Sequence, residues 1–253
     1  MTDAARFAGR TAIVTGAASG IGRATALRFA SEGAAVGCLD MADAVDETVA
    51  EILAAGGRAV AARVNVSDET SVADAVAAVR AELGAVTILA NVAGVLRFAI
   101  THEASVSDFE LMLDVNLKGP FLMSRAVLPD MLEAGGGAIV NVASSAGMFG
   151  QAYNAGYCAS KGGVAMMTRA IAWEYVNHNI RVNAISPGQV DTPMVNTIDF
   201  PDGMDWKLMR KAMAQGNRSL STDEPAGLIA FLASDEARSM TGTVIPIDHG
   251  ITC

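Results

Sequence analysis

Thr11-Ala12-Ile13-Val14-Thr15-Gly16-Ala17-Ala18-Ser19-Gly20-Ile21-Gly22 is the stretch that decides the fold. Its first five residues read as a buried strand, Gly16 ends that strand, and Ile21 to Glu32 reads as a helix stopped by Gly33. Glycines at 16, 20 and 22 let the backbone turn tightly and approach a pyrophosphate, whose charge rests on the helix N-terminus. Three glycines alone also suit an ordinary strand-to-helix turn. The second strand, Ala34 to Leu39, adds the deciding feature by ending at Asp40. Asp40 follows Gly22 at close to the ~20-residue spacing at which a carboxylate takes the ribose hydroxyls of a dinucleotide. Such a carboxylate repels a 2′-phosphate, and neither Ser19 nor Met41 carries a cation to hold one, so NAD is expected over NADP. Arg23, just past the last glycine, faces solvent or the phosphates.

The same alternation runs outward along the chain. Helices are expected over Ala42–Ala55, from Ser67-Asp68-Glu69 to Gly84, from the capping box Ser107-Asp108-Phe109-Glu110 to Glu133, over Asn154–Asn177 and over Asp223–Ala233. Strands are expected over Ala59–Val66, Val86–Ala90, Gly137–Val142, Arg181–Ile185 and Thr243–Ile247. Strands separated by such helices imply βαβ crossovers and a parallel sheet covered on both faces. The expected fold is α/β: one doubly wound, Rossmann-type domain across residues 1–253 with seven parallel strands.

Composition fits that class. Apolar residues make up 51% and charged residues 18% of the 253, which excludes disorder, and the net charge of −9 opposes a nucleic-acid backbone. Cys38, Cys158 and Cys253 share no metal or redox spacing, and His102, His178 and His249 share no ligand spacing, so neither a disulfide framework nor a metal site is expected. Ala134 to Ser160 is free of charge, yet Gly135, Asn141, Ser144, Gln151 and Asn154 interrupt it, so no membrane span is expected. Met1 to Arg10 lacks the apolar core of a signal peptide, and a cytoplasmic protein is expected. Asp43, Asp46, Glu47 and Glu51 read as a solvated helix face.

Tyr157 and Lys161 stand four residues apart within the expected helix, on one face. A cation beside a phenol favours the phenolate, and a tyrosine so placed exchanges a proton with an alcohol or carbonyl. Cys158 is rotated ~100° from Tyr157 and is read as packing.

Taken in order, Thr15-Gly16, Gly20-Ile21-Gly22, Asn91-Val92-Ala93-Gly94, Asn116, Ser144, Tyr157/Lys161 and Pro187-Gly188 resemble the short-chain dehydrogenase/reductase family along essentially the whole chain. The resemblance implies a nicotinamide cofactor and hydride transfer between an alcohol and a carbonyl. It makes Tyr157 the acid/base and gives Lys161 the role of lowering its pKa and holding the nicotinamide ribose. Ser144, ahead of its neighbour Ser145, would bond the substrate oxygen, and Asn116 would hold a water relaying protons through Lys161. Gly16, Ser19, Gly20, Ile21, Gly22, Asp40, Asn65, Val66, Asn91, Ala93 and Gly94 would line the adenosine and phosphate side. Pro187, Gly188, Val190 and Thr192 would flank the nicotinamide.

Three positions depart from the commonest pattern. Val92 replaces a second Asn, Asn65 stands where Asp is frequent, and His249 interrupts a usual Asp-Gly-Gly. The resemblance also implies a homotetramer with D₂ symmetry, built partly on the Ser107–Glu133 and Asn154–Asn177 helices, with Phe109, Leu113, Met166 and Trp173 as contacts. A 3-oxoacyl-(acyl-carrier-protein) reductase is the rival enzyme reading; Asp40 and the acidic charge oppose it. A non-catalytic dinucleotide sensor is opposed by the joint presence of Asn116, Ser144, Tyr157 and Lys161. A lyase or dehalogenase would dispense with the phosphate-cradling glycines.

Residues 189–218 are expected to form a substrate lid. Met194, Trp206 and Met209 are the candidate substrate contacts. Trp206, Met209 and Met213 fall on one helical face, with Lys207, Arg210 and Lys211 mainly on the other. Phe200-Pro201-Asp202-Gly203-Met204 reads as a hinge. The alternative is a helix packed on the core or on another subunit. A lid of this kind selects an apolar alcohol or ketone over a charged sugar acid.

Overall fold

The computed structural model describes residues 6–210 and 218–253. Its strands are β1 (Thr11–Thr15), β2 (Ala35–Asp40), β3 (Arg58–Arg63), β4 (Val86–Asn91), β5 (Gly137–Val142), β6 (Ile180–Pro187) and β7 (Val244–Ile247). They form one parallel sheet in the order β3-β2-β1-β4-β5-β6-β7, with Thr11 beside Ala35 and Gly137 beside Ile180. The helices are α1 (Gly20–Ser31), α2 (Val45–Ala54), α3 (Glu69–Leu83), α4 (Val106–Leu113), α5 (Gly119–Glu133), α6 (Ala155–Glu174), α7 (Pro193–Asn196), α8 (Trp206–Met209) and α9 (Asp223–Ala233). None is long and apolar enough to cross a membrane, among the described residues.

Each central strand is buried at nearly every position because both of its faces are covered. Alternate residues divide between two cores. Val14, Val36, Ile88 and Val140 pack with Phe29 of α1 and Ile229 and Leu232 of α9. Ile13, Leu39, Leu89 and Ile139 pack with Val76 and Val79 of α3 and Met123 and Val127 of α5. A slip of one residue in any of these strands would exchange the two sets. The chain runs outward from β1 to β3, then returns to place β4 on the other side of β1. The crevice above this reversal, at the carboxyl ends of the strands, is where such sheets bind ligands.

The expected elements recur with shifted ends. β3 stops at Arg63, so Val64, Asn65 and Val66 leave the sheet above the crevice, while β6 continues to Pro187. The single helix expected from Ser107 to Glu133 is divided by a π-turn at Asp114–Lys118. Pro120 explains the break: it has no N–H, so the Asn116 carbonyl lacks its usual α-helical donor four residues on. The cap also lies two residues earlier than the expected box, with Ser105 accepting from the Asp108 N–H. The acidic face of α2 is not simply solvated, because Arg63 holds Asp43 and Asp46 while Arg23 pairs with Glu51.

Candidate active site

A cavity of about 730 Å³ opens above the reversal point. One end is the glycine-rich turn. Gly16 has a φ of +71° and Gly20 one of +53°, a region that side chains disfavour. At Gly22 the constraint is space: a Cβ would lie 2.0 Å from the Gly16 carbonyl oxygen. The turn thus closes on itself and leaves a backbone cradle at the start of α1. Ser19 is the N-cap of α1 in an extended conformation, and its side chain makes no capping bond. Thr192, which precedes α7, sits across from the turn, with its methyl 3.1 Å from a Cβ built on Gly20. Val190 is held there by a parallel bridge to Leu220.

Asp40 closes the outer end of the cavity. Its two carboxylate oxygens accept from the Ala18 N–H at 3.0 Å and the Ala42 N–H at 2.9 Å, which fixes the group while leaving further lone pairs. Arg23 and Arg63 are held by the carboxylates of α2 and its approach, and Met41 is 70% exposed. Asn65 also lines this end, but its Oδ1 already accepts from the backbone N–H and hydroxyl of Ser67. The cradle, the carboxylate and the cavity between them fit a dinucleotide.

The inner end gathers Ser144, Tyr157 and Lys161. Ser144 follows β5, and its oxygen accepts from the Ala146 N–H at 3.2 Å. That turn lies so tightly on α6 that a Cβ at Gly147 would come 2.6 Å from the Lys161 carbonyl carbon. The Ser144 hydroxyl hydrogen-bonds the Tyr157 phenol and pulls its pKa down, yet burial dominates and raises the phenol to about 12. The phenolate expected from the Tyr/Lys spacing is therefore not what the protein alone favours. Lys161 Nζ lies 5.7 Å from the Tyr157 ring centroid and donates to the Val142 carbonyl at 2.8 Å. Burial lowers its pKa to about 8.

Two of the expected site residues line no part of the cavity. Asn91 lies within the sheet and donates to Asn141 Oδ1 at 2.8 Å. Asn116, fully buried in the π-turn, accepts from the Val95 N–H at 2.8 Å and donates to the Val95 carbonyl and Ser160 Oγ. Both amide hydrogens are thus committed. What Asn116 can still offer is a lone pair on Oδ1 or its π-turn carbonyl.

Ala93, Gly94, Val66, Pro187 and Gly188 do line the cavity, as do Met194, Trp206 and Met209. Met209 is buried and Trp206 is 52% exposed; Lys207 and Arg210 point away into solvent. Met213 and Lys211 lie outside the described residues. The sequence reading missed Phe98 and gave Phe200 only a hinge role. The Phe200 ring centroid is 5.1 Å from both Phe98 and Trp206, and the Asp205 N–H donates to the Tyr153 hydroxyl at 2.8 Å. Gln151 and Asn154, in sequence a polar interruption and a helix start, also line the cavity. Asp40 and Lys161 are the charged residues among the described lining.

Comparison with known proteins agrees with this geometry. Residues 16–252 match a family model described as enoyl-(acyl carrier protein) reductase. The chain is 40% identical over 246 residues to 2,5-dichloro-2,5-cyclohexadiene-1,4-diol dehydrogenase LinX of Sphingobium indicum, covering 97% of each. It is 38% identical over 248 residues to the 3-oxoacyl-[acyl-carrier-protein] reductase FabG of Thermotoga maritima, covering 97% of this chain and 99% of that one. A short-chain type dehydrogenase/reductase from Mycobacterium marinum superposes with a TM-score of 0.89 at 32% identity, covering 99% and 98% of the two chains. With its parallel Rossmann-like sheet, its glycine cradle and these relatives, the chain belongs to the short-chain dehydrogenase/reductase family, whose members are oxidoreductases acting on alcohol and carbonyl groups.

Proposed function

We propose that the protein is an NAD-dependent dehydrogenase of neutral, largely apolar secondary alcohols, one domain whose lid lies within residues 189–218, of which 211–217 fall outside the described residues. The observation that carries this reading is a single cavity with Asp40 at one end and Ser144, Tyr157 and Lys161 at the other. Bound NAD would supply the hydride acceptor. The glycine turn and Ser19 would hold its pyrophosphate, Asp40 its adenosine ribose and Lys161 its nicotinamide ribose.

Ser144 orients the substrate oxygen toward Tyr157, which exchanges the hydroxyl proton. Lys161 stabilises negative charge on the phenol and passes protons outward, toward a water held by the spare Oδ1 lone pair or the carbonyl of Asn116. Phe98, Phe200, Trp206 and Met209 would keep water from the reacting atoms. Changing both Trp206 and Met209 to Ala is expected to raise KM for apolar alcohols about tenfold with NAD affinity retained. An unchanged KM would remove the lid from the proposal.

The acyl-carrier-linked reductase is the second reading, supported by FabG and the matched family description. Against it, the described lining carries no cation besides Lys161 to meet a phosphopantetheine arm. The retained catalytic set argues against a sensor.

Cofactor choice tests the Asp40 part directly. A carboxylate facing a 2′-phosphate is a like-charge clash. Wild type should favour NAD by about 100-fold or more in kcat/KM, and Asp40→Ala should narrow that ratio by about tenfold. Equal efficiency with NADP in the wild type would refute the assignment.

Assembly is proposed as a homotetramer. Trp173 is 81% exposed, Met166 61%, Phe121 46% and Phe109 41%, all on α4 to α6, and large apolar side chains so exposed mark an interface. Leu113, by contrast, is half-buried within its own chain. Light scattering at micromolar concentration should give four chains, whereas a sharp monomer would contradict this.

A further inference from the structure

Asn154 is the N-cap of α6, a position that favours Asn because its side chain can accept from the first turn. Here it makes no such bond. It is 2% exposed, lines the cavity, and its Oδ1 has no hydrogen-bond partner. Its amide instead donates to Gln151 Oε1 at 3.3 Å. Exchanging the oxygens and nitrogens of both amides would still leave one polar atom of Asn154 buried and unpartnered. A buried amide left unpaired is unfavourable, so a site that keeps one is built for a ligand to complete it.

The place of this atom constrains the ligand. Asn154 precedes Tyr157 by three residues, so the two side chains sit about one turn apart at the start of α6. Gln151, which also lines the cavity, holds the amide from one side. The same described lining includes the apolar Leu96, Phe98, Ile198 and Phe200, and its charges are Asp40 and Lys161. A carboxylate or phosphate would meet no cation there besides Lys161. A hydroxyl suits the position, because it can donate to Oδ1 or accept from an N–H.

We infer that Asn154, oriented by Gln151, is a specificity-determining residue that binds a second, uncharged hydroxyl of the substrate. The preferred substrate is then a diol: one carbinol reacts at Tyr157 and the other is anchored at Asn154. This inference rests on the dehydrogenase reading above and names its substrate class more narrowly.

The test compares cyclohexanol with the 1,2-, 1,3- and 1,4-cyclohexanediols as substrates with NAD. The wild type should oxidise at least one diol with kcat/KM about tenfold above that of cyclohexanol, the difference lying mainly in KM. Asn154→Leu should bring this ratio close to one. Gln151→Leu, made outside the helix, should lower the ratio as well and serves where loss of the cap unfolds the first variant. A purely structural Asn154 would shift the melting temperature and leave the ratio where it was, which overturns the inference. Calorimetric titration of the same alcohols into the NAD-loaded protein separates this from the parent reading. Without NADH formation from any alcohol, the dehydrogenase reading falls, and the diol-to-cyclohexanol affinity ratio in wild type and variants still decides the role of Asn154.

Discussion

Replacing Tyr157 by Phe is expected to lower kcat by about 10²–10⁴ while NAD still binds and the fold is retained. The ring keeps its packing, and what disappears is the hydroxyl that meets Ser144. Because burial holds the phenol near pKa 12, Tyr157 carries its proton at neutral pH and is set as a general acid in the carbonyl-reducing direction. In the alcohol-oxidising direction the proton must leave, and the positive charge of Lys161 together with the Ser144 hydrogen bond favours that state. Oxidation should therefore accelerate as pH rises, since the charged phenolate becomes more accessible. Steady-state rates in both directions, with calorimetric NAD affinity as the control, check this. Turnover near the wild-type level in Tyr157→Phe would exclude the phenol from the proton transfer.

Lys161→Met is expected to reduce the reductive kcat at neutral pH by about 10²–10³, the scale of losing one charged group aimed at the reacting centre. The pH profile gives a sharper signature. Burial lowers the Lys161 pKa to about 8 from an ordinary 10.5, so its charge is present below about pH 8 and is lost above it. The reductive rate of the wild type should fall through that region while Tyr157 remains protonated. Lys161→Met should lack this alkaline limb, and Lys161→Arg, which stays charged, should move it upward. Stability runs the opposite way with pH. A lysine depressed on folding disfavours the folded state while charged, so burial of Lys161 becomes less unfavourable as pH climbs from about 8 toward 10.5. An unshifted alkaline limb in Lys161→Arg would assign that limb to another group.

The glycine turn, Asp40 and the Tyr157/Lys161 pair were legible from sequence because each depends on local spacing along the chain. Strand type was legible for a similar reason: a run such as Thr11–Thr15, with an unbroken apolar centre and β-branched ends, suits a strand covered on both faces. The π-turn at Asp114–Lys118 was not, although Pro120 gave its cause. Periodicity reports which face is buried and is blind to one missing N–H. Asn91 shows the converse limit. It lies beside residues that line the cavity, yet strand alternation sends its side chain to the face covered by α5, toward Asn141 and Ser124. The raised phenol pKa at Tyr157 was hidden because the sequence supplies the neighbouring charge but not the burial that outweighs it. Gln151, Asn154 and Phe98 come from loops whose approach to the cavity depends on the folded arrangement of distant segments.

NADH appearance is the most direct measurement of the proposed chemistry, followed with NAD and a panel of neutral secondary alcohols for the wild type beside Tyr157→Phe. Steady NADH formation by the wild type, about 10²–10⁴ slower in the variant, is the result expected here. Absence of NADH with every alcohol, or equal rates in the two proteins, would contradict it.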